Sequence, residues 1–85
     1  MIKVKALGSI GKMLGSASFT FDKRSMALTD LVKIIYRLDE EGVDYSRILS
    51  DVLIAVNGVA LSSGIDETVL ESGDEVTLIP ITHGG

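Results

Sequence analysis

The residues best equipped to do chemistry in this 85-residue chain are its last four, Thr82-His83-Gly84-Gly85, which follow an apolar stretch from Val76 to Ile81. A terminal carboxylate carried on two residues without Cβ atoms can take backbone angles closed to other residues and enter a slot too narrow for any side chain. Four extended residues span about 13 Å at about 3.3 Å each, far enough to reach into a partner's active site. Gly85 is therefore expected to be the reacting residue, with Gly84, His83 and Thr82 as the segment that inserts with it. Other candidates are weaker. Gly8-Ser9-Ile10-Gly11-Lys12 hints at a phosphate loop, but the spacing is wrong and Met13 stands where a magnesium-binding Ser or Thr belongs, so it reads as a flexible turn. His83 is the only histidine, which leaves it without a triad partner or a second imidazole ligand. It reads as a polar tail residue available to a partner's carboxylate or phosphate, and no metal site is expected. Asp39-Glu40-Glu41 and the group Glu71, Asp74 and Glu75 lie at element ends without an apolar setting to shift a pKa, and read as solvated surface.

The chain has no cysteine. Disulfides, thiolate metal sites and a cysteine nucleophile are excluded, so any sulfur the protein carries must be attached to something other than its own side chains. At this length one domain is expected, with a marginal but sufficient core. The apolar share of 46% argues for a globular chain. With 12 acidic against 8 basic residues, the net charge of −4 disfavours nucleic acid and anionic membranes and favours partners with basic surfaces. Met1-Ile2-Lys3-Val4-Lys5 alternates charged and apolar residues, unlike a signal peptide, and no segment reads as a membrane span. A cytoplasmic location is expected.

These residues must be positioned by a small set of elements. Ile2 to Leu7 alternates as a strand, Gly8 to Gly15 reads as a loop, and Ala17 to Asp22 alternates again, which predicts a hairpin. From about Ala27 to Glu41 the period changes: Leu28, Leu31, Ile34 or Ile35, and Leu38 recur every three or four residues, the pattern of an amphipathic helix. Ser25 is the first candidate for its cap, Thr29 the second, and Gly42 its stop. After a polar stretch from Asp44 to Ser50, Val52 to Val56 is a strand, Asn57-Gly58 a tight hairpin turn, and Val59 to Leu61 the return arm. Gly64 to Thr68 reads as an irregular loop, Glu71-Ser72-Gly73-Asp74 as a turn, and Glu75 to Ile81 as the last strand. The fold class is α+β, a mixed four- to five-stranded sheet with one main helix on one face.

One helix covers one face of such a sheet, and the other should then read polar. Instead Ile79 and Ile81 point opposite to Val76 and Leu78, and Leu53 to Val56 are apolar on both parities. Either the central strands are simply apolar and loops fold over them, or the groups are contiguous on an uncovered face and mark an interaction surface. Ile79 and Ile81 are its expected anchors, and Ile79, Pro80, Ile81 and Leu61 are the candidate partner interface.

Taken together, Met1-Ile2-Lys3-Val4, Leu28-Thr29-Asp30-Leu31-Val32, Ala55-Val56-Asn57-Gly58, Leu70-Glu71-Ser72-Gly73-Asp74-Glu75-Val76, Ile79-Pro80 and Gly84-Gly85 resemble, over the whole chain, the ubiquitin-like sulfur carriers of the MoaD/ThiS family. The likeness is greatest to its MoaD branch, the small subunits of molybdopterin synthase. The resemblance implies a ubiquitin-like β-grasp domain over residues 1–81 and a flexible Gly-Gly tail over residues 82–85.

It also implies a mechanism. A ubiquitin-activating-type adenylyltransferase, using ATP and magnesium, would adenylate the Gly85 carboxylate. A persulfide donor would then replace AMP and leave a thiocarboxylate. The chain itself would bind no cofactor. The large subunit of molybdopterin synthase would hold the catalytic residues and receive the sulfur for building molybdopterin. The ending His83-Gly84-Gly85 resembles that of the ubiquitin-related modifier, and Leu7-Gly8-Ser9-Ile10-Gly11 lacks the arginine frequent in MoaD-like loops, for which Lys12 is a weaker substitute. A related carrier or modifier, serving thiamin synthesis, transfer RNA thiolation or lysine conjugation, is the alternative the resemblance leaves open.

Overall fold

The alternating apolar residues of Ile2–Ala6 form β1, with Ile2, Val4 and Ala6 buried and Lys3 and Lys5 exposed. The computed structural model describes residues 1–38 and 45–81. Ser18–Phe21 (β2) returns antiparallel to β1, so the expected hairpin forms. Its connection is the short helix α1, Gly8–Leu14, where a loop was expected. Seven residues containing two glycines carry too little periodicity to announce a helix. What holds α1 down is packing: Ile10 is buried in the core, and a Cβ at Gly11 would meet the Ala6 carbonyl oxygen at 2.7 Å, so only glycine permits this approach.

The main helix, α2, spans Leu28–Tyr36 and buries Leu28, Leu31, Val32 and Ile35, the face that the period predicts. It is shorter than the expected 27–41. Arg37 takes a left-handed φ of 57° and its N–H folds back onto the carbonyls of Lys33 and Ile34, closing the helix before Gly42, which lies outside the described residues. Neither Ser25 nor Thr29 caps the start. Ala27 is the cap residue, without a side-chain bond, because Ser25–Ala27 is itself a strand, β3, running directly into the helix. Tertiary structure supplies the missing acceptor: the Leu28 N–H donates to the Thr68 carbonyl at 3.0 Å.

The polar stretch that follows contains a helical turn, α3 (Tyr45–Ile48), and a 3₁₀ turn, Leu49–Asp51. Val52–Val56 (β4) and Val59–Ala60 (β5) form the second hairpin, turned by Asn57 and Gly58 at φ 51° and 82°, the two positive angles that a tight primed turn demands. Within the expected loop, Ile65–Glu67 makes a 3₁₀ turn. Val69–Glu71 (β6) then pairs with β3, and Glu75–Pro80 (β7) closes the fold.

The main sheet has five strands in the order β2-β1-β7-β4-β5, with β1 and β7 parallel at its centre and the other pairs antiparallel. Its inner face contributes Ile2, Val4, Val52, Ile54, Val76 and Leu78 to one core shared with Ile10, the buried residues of α2, and Leu70. This is the α+β β-grasp arrangement, with short helices added to the main one.

Candidate functional site

Gly85, Gly84, His83 and Thr82 lie outside the described residues. The site can therefore be built up only to its root, where the chain leaves β7. The ladder fixes that root firmly. Leu53 pairs with Ile79 and Val52 with Pro80, and the Ile81 N–H donates to the Asp51 carbonyl at 2.9 Å, carrying the β4–β7 pairing one residue past the strand. Pro80 fits here without loss. Even-numbered positions of this segment face β1, as the bonds from Lys3 N–H to the Asp74 carbonyl and from Leu7 N–H to the Leu78 carbonyl show, and β1 has ended before it could need an N–H from residue 80.

The parity expected for β7 is observed for Val76, Leu78 and Ile79, whereas Ile81 lies past the end of the strand. Val76 and Leu78 are fully buried, while Ile79 is half-buried and Ile81 is 41% exposed. Register then divides the outer face of the sheet in two. Away from the tail it is polar: Lys3 and Lys5 lie beside Ser18, Thr20 and Glu75, with Lys5 Nζ 3.3 Å from Glu75 Oε1. Toward the tail it is apolar: Ile79 pairs with the half-buried Leu53, Ala55 with the exposed Ala60, and Leu7, 44% exposed, continues β1 alongside. Leu61 does not join this patch. It is half-buried against the core.

Pro80 faces the other way, into a groove of about 630 Å³ that it lines together with Ile10, Met13, Tyr36, Arg47 and Ile81. The Tyr36 hydroxyl is buried there with no hydrogen-bond partner among the described residues, and burial raises its pKa above the ordinary tyrosine value. Leu7, Met13 and Tyr36 were not singled out from the sequence as part of the site, and Leu53 entered only as one of a run apolar on both parities. Leu7 was within reach, since it extends the odd parity of β1, but the others are joined to the tail root only by the fold.

The remaining sequence candidates stand apart. Gly8 to Lys12 forms most of α1, so it is neither a phosphate loop nor a flexible turn. Asp39-Glu40-Glu41 lies outside the described residues. At the far end of the sheet, Asp74 accepts from the Glu71 backbone N–H and the Asn57 amide, which holds its carboxyl below the ordinary aspartate range. Among the described residues no three His, Cys, Asp or Glu side chains gather to hold a metal ion, and no helix is long and apolar enough to cross a membrane.

Three solved structures share the fold across nearly the whole chain. Urm1 from Sulfolobus solfataricus is 26% identical, covers 93% of this chain and 99% of its own, and has a TM-score of 0.65. A chain from the complex of subunits 1 and 2 of the molybdopterin-converting factor of Helicobacter pylori is 24% identical, with 99% and 97% covered and a TM-score of 0.62. The thiamine biosynthesis protein ThiS from Geobacter metallireducens is 20% identical, with 98% and 99% covered and a TM-score of 0.56. Comparison with curated proteins finds no match. Residues 20–85, which run from β2 through the Gly-Gly ending, match the model of the ThiS family, and the chain belongs to that family of ubiquitin-like sulfur carriers and modifiers.

Proposed function

We propose that this protein is the sulfur-carrying small subunit of a molybdopterin synthase, with Gly85 as the residue that is activated, charged with sulfur and spent. The observation that carries this reading is the apolar half of the outer sheet face, Leu7, Leu53 and Ile79, placed beside the point where the chain leaves β7 toward Gly84-Gly85. A partner that docks there receives the terminus at the same time.

The chemistry follows from what a carboxylate lacks. It is a poor electrophile, so its oxygen first attacks the α-phosphorus of ATP held with magnesium in a ubiquitin-activating-type adenylyltransferase, and pyrophosphate leaves. The terminal sulfur of a persulfide then attacks the acyl carbon and AMP departs. A thiol releases the thiocarboxylate by taking the other sulfur into a disulfide. No side chain at Gly84 or Gly85 shields the acyl carbon from either nucleophile. The thiocarboxylate sulfur is a polarisable anion at neutral pH and needs no base to become nucleophilic. The large subunit of the synthase supplies the catalytic residues and passes the sulfur to the pterin substrate, cyclic pyranopterin monophosphate. Water returns the tail to a carboxylate. The shared fold with a chain of the Helicobacter pylori two-subunit complex supports a large-subunit partner.

The test is mass spectrometry of the protein incubated with its activating enzyme, ATP, magnesium and a persulfide donor, followed by addition of the large subunit and pterin. One oxygen-to-sulfur exchange at Gly85 and formation of molybdopterin are expected. A tail that stays a carboxylate would end the carrier reading, and a charged tail that yields no molybdopterin would end the assignment to this pathway. The likeness to Urm1 and the His83-Gly84-Gly85 ending favour a second reading as a protein modifier. Lysine-linked conjugates ending in Gly85, in cells whose molybdenum enzymes stay active after deletion of the gene, would establish it.

A further inference from the structure

The ladder bonds fix which backbone groups of β2 face the open edge of the sheet. The Ala6 N–H donates to the Ala17 carbonyl at 2.9 Å, whereas Lys3 donates to Asp74, so even residues of β1 bond toward β2 and odd residues toward β7. Lys5 lies opposite Ser18 and Lys3 opposite Thr20. The N–H and C=O groups of Ser18 and Thr20 therefore point away from β1. Because β2 ends the strand order, they point along the edge. At Ser18 that edge is occupied by a side chain. The Ser16 hydroxyl donates to the Ser18 carbonyl at 2.7 Å and accepts from the Ser18 N–H at 3.3 Å, so one oxygen serves both groups that a neighbouring strand would serve.

We propose that Ser16 is an edge plug, a side chain that closes β2 against antiparallel addition of the β2 strand of a second copy of this chain. The strand has four residues and two outward-facing positions, so capping Ser18 leaves only Thr20 to receive a neighbour. An incoming strand gains half of its ladder bonds and must displace the hydroxyl for the rest. The opposite edge, β5, is two residues long and is blunted by brevity alone. The occupant the plug excludes is another copy, because β2 presents the same short run, Ser18-Phe19-Thr20-Phe21, to its own two-fold mate, with Phe19 and Phe21 aligned on one side. A domain that passes between partners gains from this: its edges stay shut, and association is left to the sheet face and the terminus. The inference concerns the edge alone and stands whether or not the tail carries sulfur.

The experiment uses the full chain. In the wild type, amide exchange followed by NMR should be slower at Ser18 than at Thr20. Ser16→Ala should speed exchange at Ser18 by about two- to tenfold, the range for losing one net hydrogen bond. Sedimentation equilibrium should show a concentration-dependent dimer for Ser16→Ala, none for Ser16→Thr, and none when Thr20→Pro is added to remove the remaining edge N–H. Equal exchange at Ser18 and Thr20 in the wild type would overturn the proposal. So would a Ser16→Ala protein that stays monomeric at millimolar concentration, or a dimer indifferent to Thr20→Pro.

Discussion

Asn57 and Asp74 are locked together across two turns of the chain: the Asn57 side-chain amide donates to Asp74 Oδ1 at 3.0 Å, and its own oxygen accepts from the Glu75 N–H at 3.0 Å. Asp74 Oδ2 meanwhile accepts from the Glu71 N–H at 2.8 Å. The primed turn of the β4–β5 hairpin and the turn entering β7 are thereby tied into one unit at the end of the sheet away from the tail root.

This pair predicts an acid-sensitive contribution to stability. The Glu71 N–H, and after it the Asn57 amide, lower the Asp74 pKa in the folded state. A depressed carboxyl stabilises the fold fully above the ordinary aspartate pKa and loses that contribution as pH falls through the lowered folded value. The stability difference between wild type and Asp74→Ala in thermal melts should therefore be greatest at neutral pH and shrink as pH falls through the lowered carboxyl range. A difference independent of pH would mean that the charge on Asp74 adds nothing.

Gly11 should reject alanine. In a helix, Gly→Ala ordinarily stabilises by about 0.5–1 kcal/mol. Here the added Cβ would sit 2.7 Å from the Ala6 carbonyl oxygen, a backbone atom that cannot step aside without moving β1. Overpacking of this kind costs about 1–3 kcal/mol, so the clash wins and Gly11→Ala should lower stability in urea denaturation. An unchanged or higher midpoint would show α1 free to slide off the sheet.

The two parities of β7 make opposite predictions. Leu78→Asp places a charge in the fully buried core and should prevent folding. Ile79→Asp lies on the half-exposed outer face and should leave a folded protein whose affinity for the proposed large-subunit partner falls by about 2 kcal/mol or more, measured by titration calorimetry. An unchanged affinity for Ile79→Asp would remove the outer face from the interface.

How far the sequence carries the fold depends on the length of each signal. The buried face of α2, the parity of β7 and the Asn57-Gly58 turn were legible because each rests on a sustained period or on residues with distinctive backbone freedom. Strands β3 and β6, at three residues each, complete barely one alternation, and they exist because they pair with each other. Helix α1 rests on the buried Ile10 and on one glycine's close approach to β1. The end of α2 at Arg37 was illegible for a different reason: a left-handed arginine is disfavoured locally by about 1–2 kcal/mol, so no propensity rule could place it. At the site, the outward placement of Ile79 was readable from parity, but Leu53 and Tyr36 reach the tail root only through strand register and helix packing.

Removing Gly85 separates the fold from the chemistry. Every core residue of the described structure precedes Pro80, and the Ile81 N–H bond to Asp51 is the last described link to the sheet. Deletion of Gly85 should therefore leave the unfolding midpoint in place, with a change within about 0.5 kcal/mol. Activity should nonetheless vanish. The deletion leaves a Gly84 carboxylate of identical chemistry, but one residue, about 3.3 Å, short of where the proposed activating enzyme and synthase would meet an acyl carbon. Gly85→Ala keeps the reach and adds only a methyl group beside the acyl carbon, so it should form adenylate more slowly than wild type and faster than the deletion. If adenylate formation, followed by pyrophosphate release, were equal in all three proteins, the terminal acyl carbon would not be the reacting atom.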